Sequence, residues 1–163
     1  MNTASPATTN KATVTTPNDR EIIIVRIFNA SRDRVWRAMT EPELLAQWWG
    51  RGNRVDVEAS DLKPGGKWRM VEHADGGMHG FQGEYQEIDP PKHIVMTFIW
   101  DGMPDHVAVN SISLEEMADD RTRMTTLVRF DNETDRDGML NSGMEAGMNQ
   151  SHAALDKVLA AMD

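Results

Sequence analysis

A series of closely spaced turn signals between residues 55 and 130 constrains the fold of this chain most strongly. Clusters of glycine, proline and aspartate interrupt the segment, and the stretches between them are short. Parallel strands would need crossovers of a dozen or more residues, which such turns cannot supply. The segment therefore predicts six antiparallel strands joined by hairpins. The turns are Pro64-Gly65-Gly66, Asp75-Gly76-Gly77, Asp89-Pro90-Pro91, Asp101-Gly102 with Pro104, and Ala118-Asp119-Asp120.

The segment before the hairpins predicts one further strand and two short helices. Residues 21–28 are rich in β-branched side chains, which favours a strand. Ser31 can cap a first helix, and residues 40–43 have the pattern of a capping box for a second helix with Thr40 as its N-cap. Trp48 and Trp49 end the second helix. Because adjacent helical residues diverge by about 100°, we expect one of them in the core and the other near an opening.

The C-terminal segment predicts one long amphipathic helix that opens at Thr134 and runs to Met162. Glycines at 138, 143 and 147 weaken its first half, because each costs up to about 1 kcal/mol relative to alanine. Residues at spacings of three and four form one stripe that must be buried, and the sheet is the surface available for it. The stripe comprises Leu140, Met144, Met148, Ser151, Leu155, Val158 and Met162.

The first 18 residues differ in composition from the rest of the chain. They are rich in Thr, Asn, Ala and Pro, and ordering them would cost entropy that little burial offsets. We therefore predict a flexible tail over residues 1–18 and one domain over residues 19–163. The total of 163 residues fits one domain with a core of its own.

Composition limits the classes of function that the chain can have. With no cysteine, the chain has no disulfide, thiolate zinc site or cysteine nucleophile. A net charge of -9 gives no general source of phosphate neutralisation, so nucleic acid is not an expected partner. No apolar run approaches the roughly 20 residues of a membrane span, and the N-terminus lacks the apolar region of a signal peptide. We expect a cytoplasmic protein without membrane contact.

The order of strand, two short helices, six strands and long helix resembles the helix-grip fold of the START and birch-pollen-allergen superfamily, also called SRPBCC. Residues 30–49 look like the opening signature of the branch homologous to the activators of the ninety-kilodalton heat-shock chaperone ATPase. Residues 61–69 and 83–91 stand in the order and spacing of that branch. The resemblance implies an α+β fold in which a curved antiparallel sheet of about seven strands carries the long C-terminal helix on its concave face.

The resemblance also implies a hydrophobic cavity between that sheet and the C-terminal helix. We expect it to bind an apolar or aromatic small molecule without a cofactor, although a packed core would need similar residues. Sheet residues 68, 70, 98 and 100 should face the helix methionines across a gap. The predicted ligand-binding residues are Trp49, Trp68, Met70, His79, Tyr85, Phe98, Trp100, Asn110, Met139, Met144 and Met148. In this branch the C-terminal helix commonly carries Gly-Trp, where this chain has Gly147-Met148.

Two other functions stay open at the level of sequence. An enzyme of the cyclase, dehydratase or hydrolase kind would move protons with His79, Tyr85 or Asn110, although no catalytic motif stands out. A stress-response module would stimulate a chaperone ATPase, and a homodimer is a further possibility by analogy. His73 and His79 flank a turn without a third ligand at a recognisable spacing, so no metal site is predicted. Arg26 shares a strand face with apolar residues, which favours a salt bridge or an exposed strand end.

Overall fold

An open antiparallel sheet of eight strands dominates the computed structural model, which describes residues 11–162. The strands are β1 Thr13–Asn18, β2 Glu21–Phe28, β3 Arg54–Ser60, β4 Lys67–Ala74, β5 Gly77–Asp89, β6 His93–Trp100, β7 Ala108–Met117 and β8 Arg121–Arg129. Their spatial order is β1-β2-β8-β7-β6-β5-β4-β3, and every neighbouring pair is antiparallel. The α+β helix-grip architecture and the six hairpin strands are confirmed.

The hairpin between β3 and β4 turns where the sequence predicted. Gly65 has a φ of +84°, a left-handed conformation that costs glycine little because it has no Cβ. Its amide donates a hydrogen bond of 2.8 Å to the carbonyl of Tyr85 in β5. The turn is thereby tied to the neighbouring hairpin.

Residues 13–18 form an edge strand, so the prediction of a flexible tail is wrong for this part of the chain. In β1, Val14 lies opposite Ile24 of β2, and Ala12 just before the strand is buried. Most side chains of β1 are exposed, which is why the segment lacks the large apolar residues that mark a central strand. Residues 1–10 of the predicted tail lie outside the described residues.

Within residues 11–162, four α-helices complete the fold: α1 Arg32–Thr40, α2 Pro42–Leu45, α3 Glu133–Leu140 and α4 Met144–Ala161. Ser31 caps α1 as predicted, because its hydroxyl accepts a hydrogen bond of 3.3 Å from the amide of Arg34. The predicted capping box at Thr40 is absent. Helix α1 extends through Thr40, whose hydroxyl donates to the carbonyl of Trp36 at 2.7 Å, and Glu41 becomes the N-cap of α2.

The C-terminal segment is two helices and not the single helix that the sequence predicted. Gly143 separates α3 from α4 with a φ of +83°, in the left-handed region that breaks a right-handed helix. None of the helices within residues 11–162 is long and apolar enough to cross a membrane.

The second half of α4 packs into the core on the inner face of the sheet, the face that the helices cover. Leu155 is fully buried and joins a cluster with Phe28 of β2 and Val35 of α1. Arg26 of β2 is also buried there, and its guanidinium forms two hydrogen bonds of 2.7 Å with Asp156 of α4. Of the two alternatives that the sequence left open for Arg26, the salt bridge is the one that the structure shows. The first half of α4 instead borders a gap.

Candidate binding cavity

A cavity of about 890 Å³ lies between the first half of α4 and the sheet. Its floor and one wall come from β4, β5 and β6, and the opposite wall comes from α3, the break at Gly143 and α4. The chain between α2 and β3 closes one side, and the chain between β6 and β7 borders another. The cavity thus lies between the sheet and the two C-terminal helices.

Aromatic rings cover the sheet side of the cavity. Trp49 contacts Phe81 edge to face with ring centroids 5.1 Å apart, and Phe81 contacts Phe98 at 5.5 Å. His79 and Trp100 continue the row, with centroids 6.3 Å apart. Alternate residues of a strand share a face, so β5 and β6 present these rings in a continuous surface.

Methionines cover the helix side of the cavity. Met139 of α3 and Met144 and Met148 of α4 line it and are only partly buried. Met103, in the connection between β6 and β7, is 43% exposed and also lies on the wall. These flexible thioether side chains can adapt to guests of different shape.

Seven of the eleven residues that the sequence predicted for ligand binding line the cavity, and four do not. Trp68, Met70 and Tyr85 lie in the packed core, each 5% exposed or less. The alternation of a strand gives the face of a residue and not the depth to which helices fill that face, so the sequence could not separate these three residues from those on the wall. The seven that line the cavity are Trp49, His79, Phe98, Trp100, Met139, Met144 and Met148.

The other two polar candidates differ in their surroundings. Burial raises the pKa of the Tyr85 hydroxyl, against a hydrogen bond with Ser60 that lowers it. Asn110 shares its strand face with Ile112 and Leu114, as predicted, and its buried Oδ1 has no hydrogen-bond partner within residues 11–162. Neither Tyr85 nor Asn110 is on the cavity wall.

Sequence reasoning missed a polar network on the cavity wall, centred on Arg51. The guanidinium donates through Nε and Nη2 to the two carboxylate oxygens of Glu72, at 2.9 and 2.8 Å. Asn53 adds a hydrogen bond of 2.8 Å to the same carboxylate. Glu72 is 1% exposed; burial alone would raise its pKa, but these hydrogen bonds outweigh burial and hold the pKa below its usual value. Glu72 is therefore ionised and paired.

The backbone around Arg51 is held in an uncommon conformation by α4. Arg51 has a φ of +57°, and its amide donates to the hydroxyl of Ser151 at 3.0 Å. That hydroxyl donates in turn to the carbonyl of Trp49 at 3.0 Å. Gly147 gives the arginine room, since a Cβ there would lie 2.6 Å from the Arg51 Cδ. Left-handed non-glycine residues persist where their surroundings over-determine them, as here.

His152 of α4 brings a second polar group to the cavity. The ring lines the wall, is only 6% exposed and meets Phe28 edge to face at 5.4 Å. Its Nδ1 is buried without a hydrogen-bond partner in the described part of the chain. Burial, together with the positive charge of Arg26, lowers the pKa of His152 to about 4. The imidazole is therefore neutral at physiological pH.

An ion pair joins two elements at the border of the cavity. His106, before β7, lies 2.8 Å from a carboxylate oxygen of Asp135 in α3. The hydrogen bond to Asp135 and the negative charge of the Asp135 carboxylate raise the pKa of His106. His73, by contrast, contacts Asp56 at 2.7 Å and is not on the wall. The described residues hold no group of three or more metal-ligating side chains that could bind an ion.

A family model described as Activator of Hsp90 ATPase homolog 1-like protein matches residues 29–160. The chain belongs to this family. The matched range includes every residue on the cavity wall, from Trp48 to His152. Strands β1 and β2 lie before the matched range. A search of curated proteins finds no match.

Solved structures share the fold over nearly the whole chain. A crystal structure of a Rhodobacter sphaeroides protein, 22% identical, matches with a TM-score of 0.85 over 94% of this chain and 100% of that chain. A solution structure from Arthrobacter aurescens, 26% identical, gives 0.81 over 92% of each chain. A Mycobacterium smegmatis protein, 21% identical, gives 0.82 over 93% of this chain and 99% of that one. These likenesses support the helix-grip fold.

Proposed function

We propose that this member of the family binds an apolar or aromatic small molecule in the cavity between the sheet and α4. The observation that carries the proposal is the cavity of about 890 Å³ with aromatic rings on one side and methionines on the other. Pockets for small molecules and cofactors usually fall between about 300 and 1,000 Å³ and are lined mainly by apolar groups with a few polar ones.

The composition of the walls favours loose specificity. Aromatic rings offer flat surface, and methionines can repack around guests of different outline. The resemblance to the chaperone-activator branch implies a tryptophan at the position of Met148, and a methionine in its place would leave more free volume for a ligand. We infer that the protein accepts a class of molecules that share an apolar body.

The two alternative functions have less support. Of the three residues that the enzyme hypothesis used for proton transfer, only His79 lines the cavity. The description of the family names a chaperone ATPase activator, and stimulation of a chaperone stays a prediction for this chain. Retained ligand binding with loss of turnover in His79→Gln would favour an enzyme.

Uptake of a neutral fluorescent probe tests the proposal. N-phenyl-1-naphthylamine brightens in apolar surroundings, and we expect the wild-type protein to bind it with saturation at one site. Met148→Trp should weaken binding by about tenfold or more, because an indole would occupy volume that the probe needs. Met78→Trp is the matched control, since Met78 is 69% exposed and lies off the cavity wall.

The expected pattern is a loss of binding in Met148→Trp alone, with both variants folded by circular dichroism. Absence of saturable binding in the wild type would contradict the proposal. Equal binding by wild type and Met148→Trp would place the probe elsewhere and would contradict it as well.

A further inference from the structure

We infer that the cavity selects ligands carrying a neutral oxygen acceptor, such as a ketone, and that Arg51 binds this oxygen through its free nitrogen Nη1. The inference rests on the proposed binding function and adds the polar end of the ligand to it. The inference follows from the geometry of Arg51, from the charges around it and from the protonation state of His152.

Arg51 presents one fixed donor to the cavity. Its Nε and Nη2 are used by Glu72, and no hydrogen bond within residues 11–162 uses Nη1. The side chain is 46% exposed although its partner Glu72 is buried. Because the amide of Arg51 is also held by Ser151, little further ordering is needed when Nη1 donates to a ligand.

The positive charge of Arg51 is already neutralised. The bidentate carboxylate of Glu72 compensates it at close range. Asp135 is paired with His106 on the same wall, so this pair offers no unpaired positive charge to an anionic ligand. A ligand carboxylate would leave water for a guanidinium that already shares its charge with the Glu72 carboxylate, which is unfavourable in an apolar site. A neutral acceptor avoids that cost.

His152 adds no positive charge to the cavity wall. Its ring is buried on the wall and neutral, because burial lowers its pKa to about 4. A neutral imidazole provides one donor and one acceptor, which suits a second neutral group on the ligand. The polar part of the wall therefore favours hydrogen bonding over charge pairing.

Three naphthalenes with the same ring system test the inference. They are 2-acetylnaphthalene, a neutral ketone; 2-naphthoate, a carboxylate; and 2-ethylnaphthalene, which has no acceptor. Affinities are measured by titration calorimetry at pH 7. We expect the wild type to bind the ketone about tenfold more tightly than ethylnaphthalene, the usual gain from a hydrogen bond to a charged donor. The carboxylate should bind more weakly than the ketone.

Two variants then assign the preference to Arg51 and its charge state. Arg51→Met should remove the ketone advantage and leave ethylnaphthalene binding within about twofold. Glu72→Gln keeps the shape of the side chain but leaves Arg51 with a net charge, so it should reverse the order in favour of naphthoate. Gly147→Ala serves if Arg51→Met fails to fold, because its Cβ would displace the Arg51 side chain. It should also reduce the ketone advantage.

Matched controls lie on the surface. Arg54 forms an ion pair with Asp56, and Glu84 forms one with Lys67, both outside the cavity. Arg54→Met and Glu84→Gln should therefore keep the wild-type order of affinity for the three probes. A ketone advantage that persists in both Arg51→Met and Gly147→Ala, or a wild type that prefers naphthoate, would overturn the inference while leaving the binding function intact. Failure of all three naphthalenes to bind would instead count against the binding function.

Discussion

His152 shows at the scale of one residue how the cavity changes the chemistry of a side chain. On a helix surface this histidine would titrate near its ordinary pKa, but here it lies on an apolar wall beside Phe28. Burial lowers the pKa of His152 from 6.5 to about 4. Between these two pKa values, His152 therefore carries a proton in the unfolded chain and not in the folded chain.

The stability of the protein should consequently fall as the pH drops from about 6.5 towards 4. The unfolded state binds more protons than the folded state in this pH window. The stabilisation that the neutral His152 retains is therefore complete above the unfolded pKa and fully lost below the folded pKa. From pH 7 to pH 5 the wild type should lose about 2 kcal/mol more free energy of unfolding than His152→Gln, measured by urea titration. Subtraction of the variant cancels other titrating groups, including His106. Equal losses in both proteins would disprove a buried neutral histidine.

Arg51 marks the limit of sequence reasoning at this scale. It follows Gly50 and precedes Gly52, and the sequence indicated only that a helix stops there. Its role depends on a left-handed backbone conformation, on Glu72 in β4 and on Ser151 in α4, residues that lie 21 and 100 positions away. Periodicity and capping patterns report local preferences and cannot detect such contacts. A buried glutamate on an apolar strand face was the signal that could have been followed.

The break between α3 and α4 gives a test at the scale of an element. Gly138 lies inside α3 and Gly143 between the helices, both are exposed, and a Cβ on either meets no atom within 4 Å. Gly138→Ala should raise the free energy of unfolding by up to about 1 kcal/mol, because alanine favours the helix. Gly143→Ala should lower it by about 1 kcal/mol, because its φ of +83° is strained for alanine.

Thermal and urea unfolding of the two single variants measure this pair. The same glycine-to-alanine change should alter the free energy of unfolding in opposite directions at the two positions. Because both positions are exposed, differences in side-chain burial do not affect the comparison. A stabilising effect at both glycines would mean that α3 and α4 form one continuous helix in solution, as the sequence alone had indicated.

The helices and strands were predictable where turn signals and periodicity indicate the same structure. Regular turn signals located the six strands from β3 to β8, and Ser31 located the start of α1. The misassigned parts were those in which two local signals compete. Thr40 fits both the end of one helix and the cap of the next, and Gly143 fits both a weak helix and a break. Edge strand β1 has mostly exposed side chains and gave no apolar pattern.

At the scale of the whole molecule, the helix-grip fold of the family contains a cavity beside a packed core. The packed half of α4 fixes the helix on the sheet through Leu155 and the ion pair between Arg26 and Asp156. The other half stands over the aromatic wall and leaves the volume open. The order of elements predicted the fold that carries this cavity, whereas the volume of the cavity depends on how far each side chain fills the space and could not be predicted.

The methyl groups of methionine provide the most direct test of the central claim that the cavity binds an apolar molecule. The chain has 12 methionines, and Met103, Met139, Met144 and Met148 line the cavity, whereas Met78 and Met117 do not. Protein labelled with carbon-13 at these methyls is titrated with N-phenyl-1-naphthylamine and followed by NMR. The account predicts saturable shifts at the four cavity methyls and none at Met78 and Met117. Unchanged cavity methyls at saturating probe, or shifts confined to Met78, would contradict it.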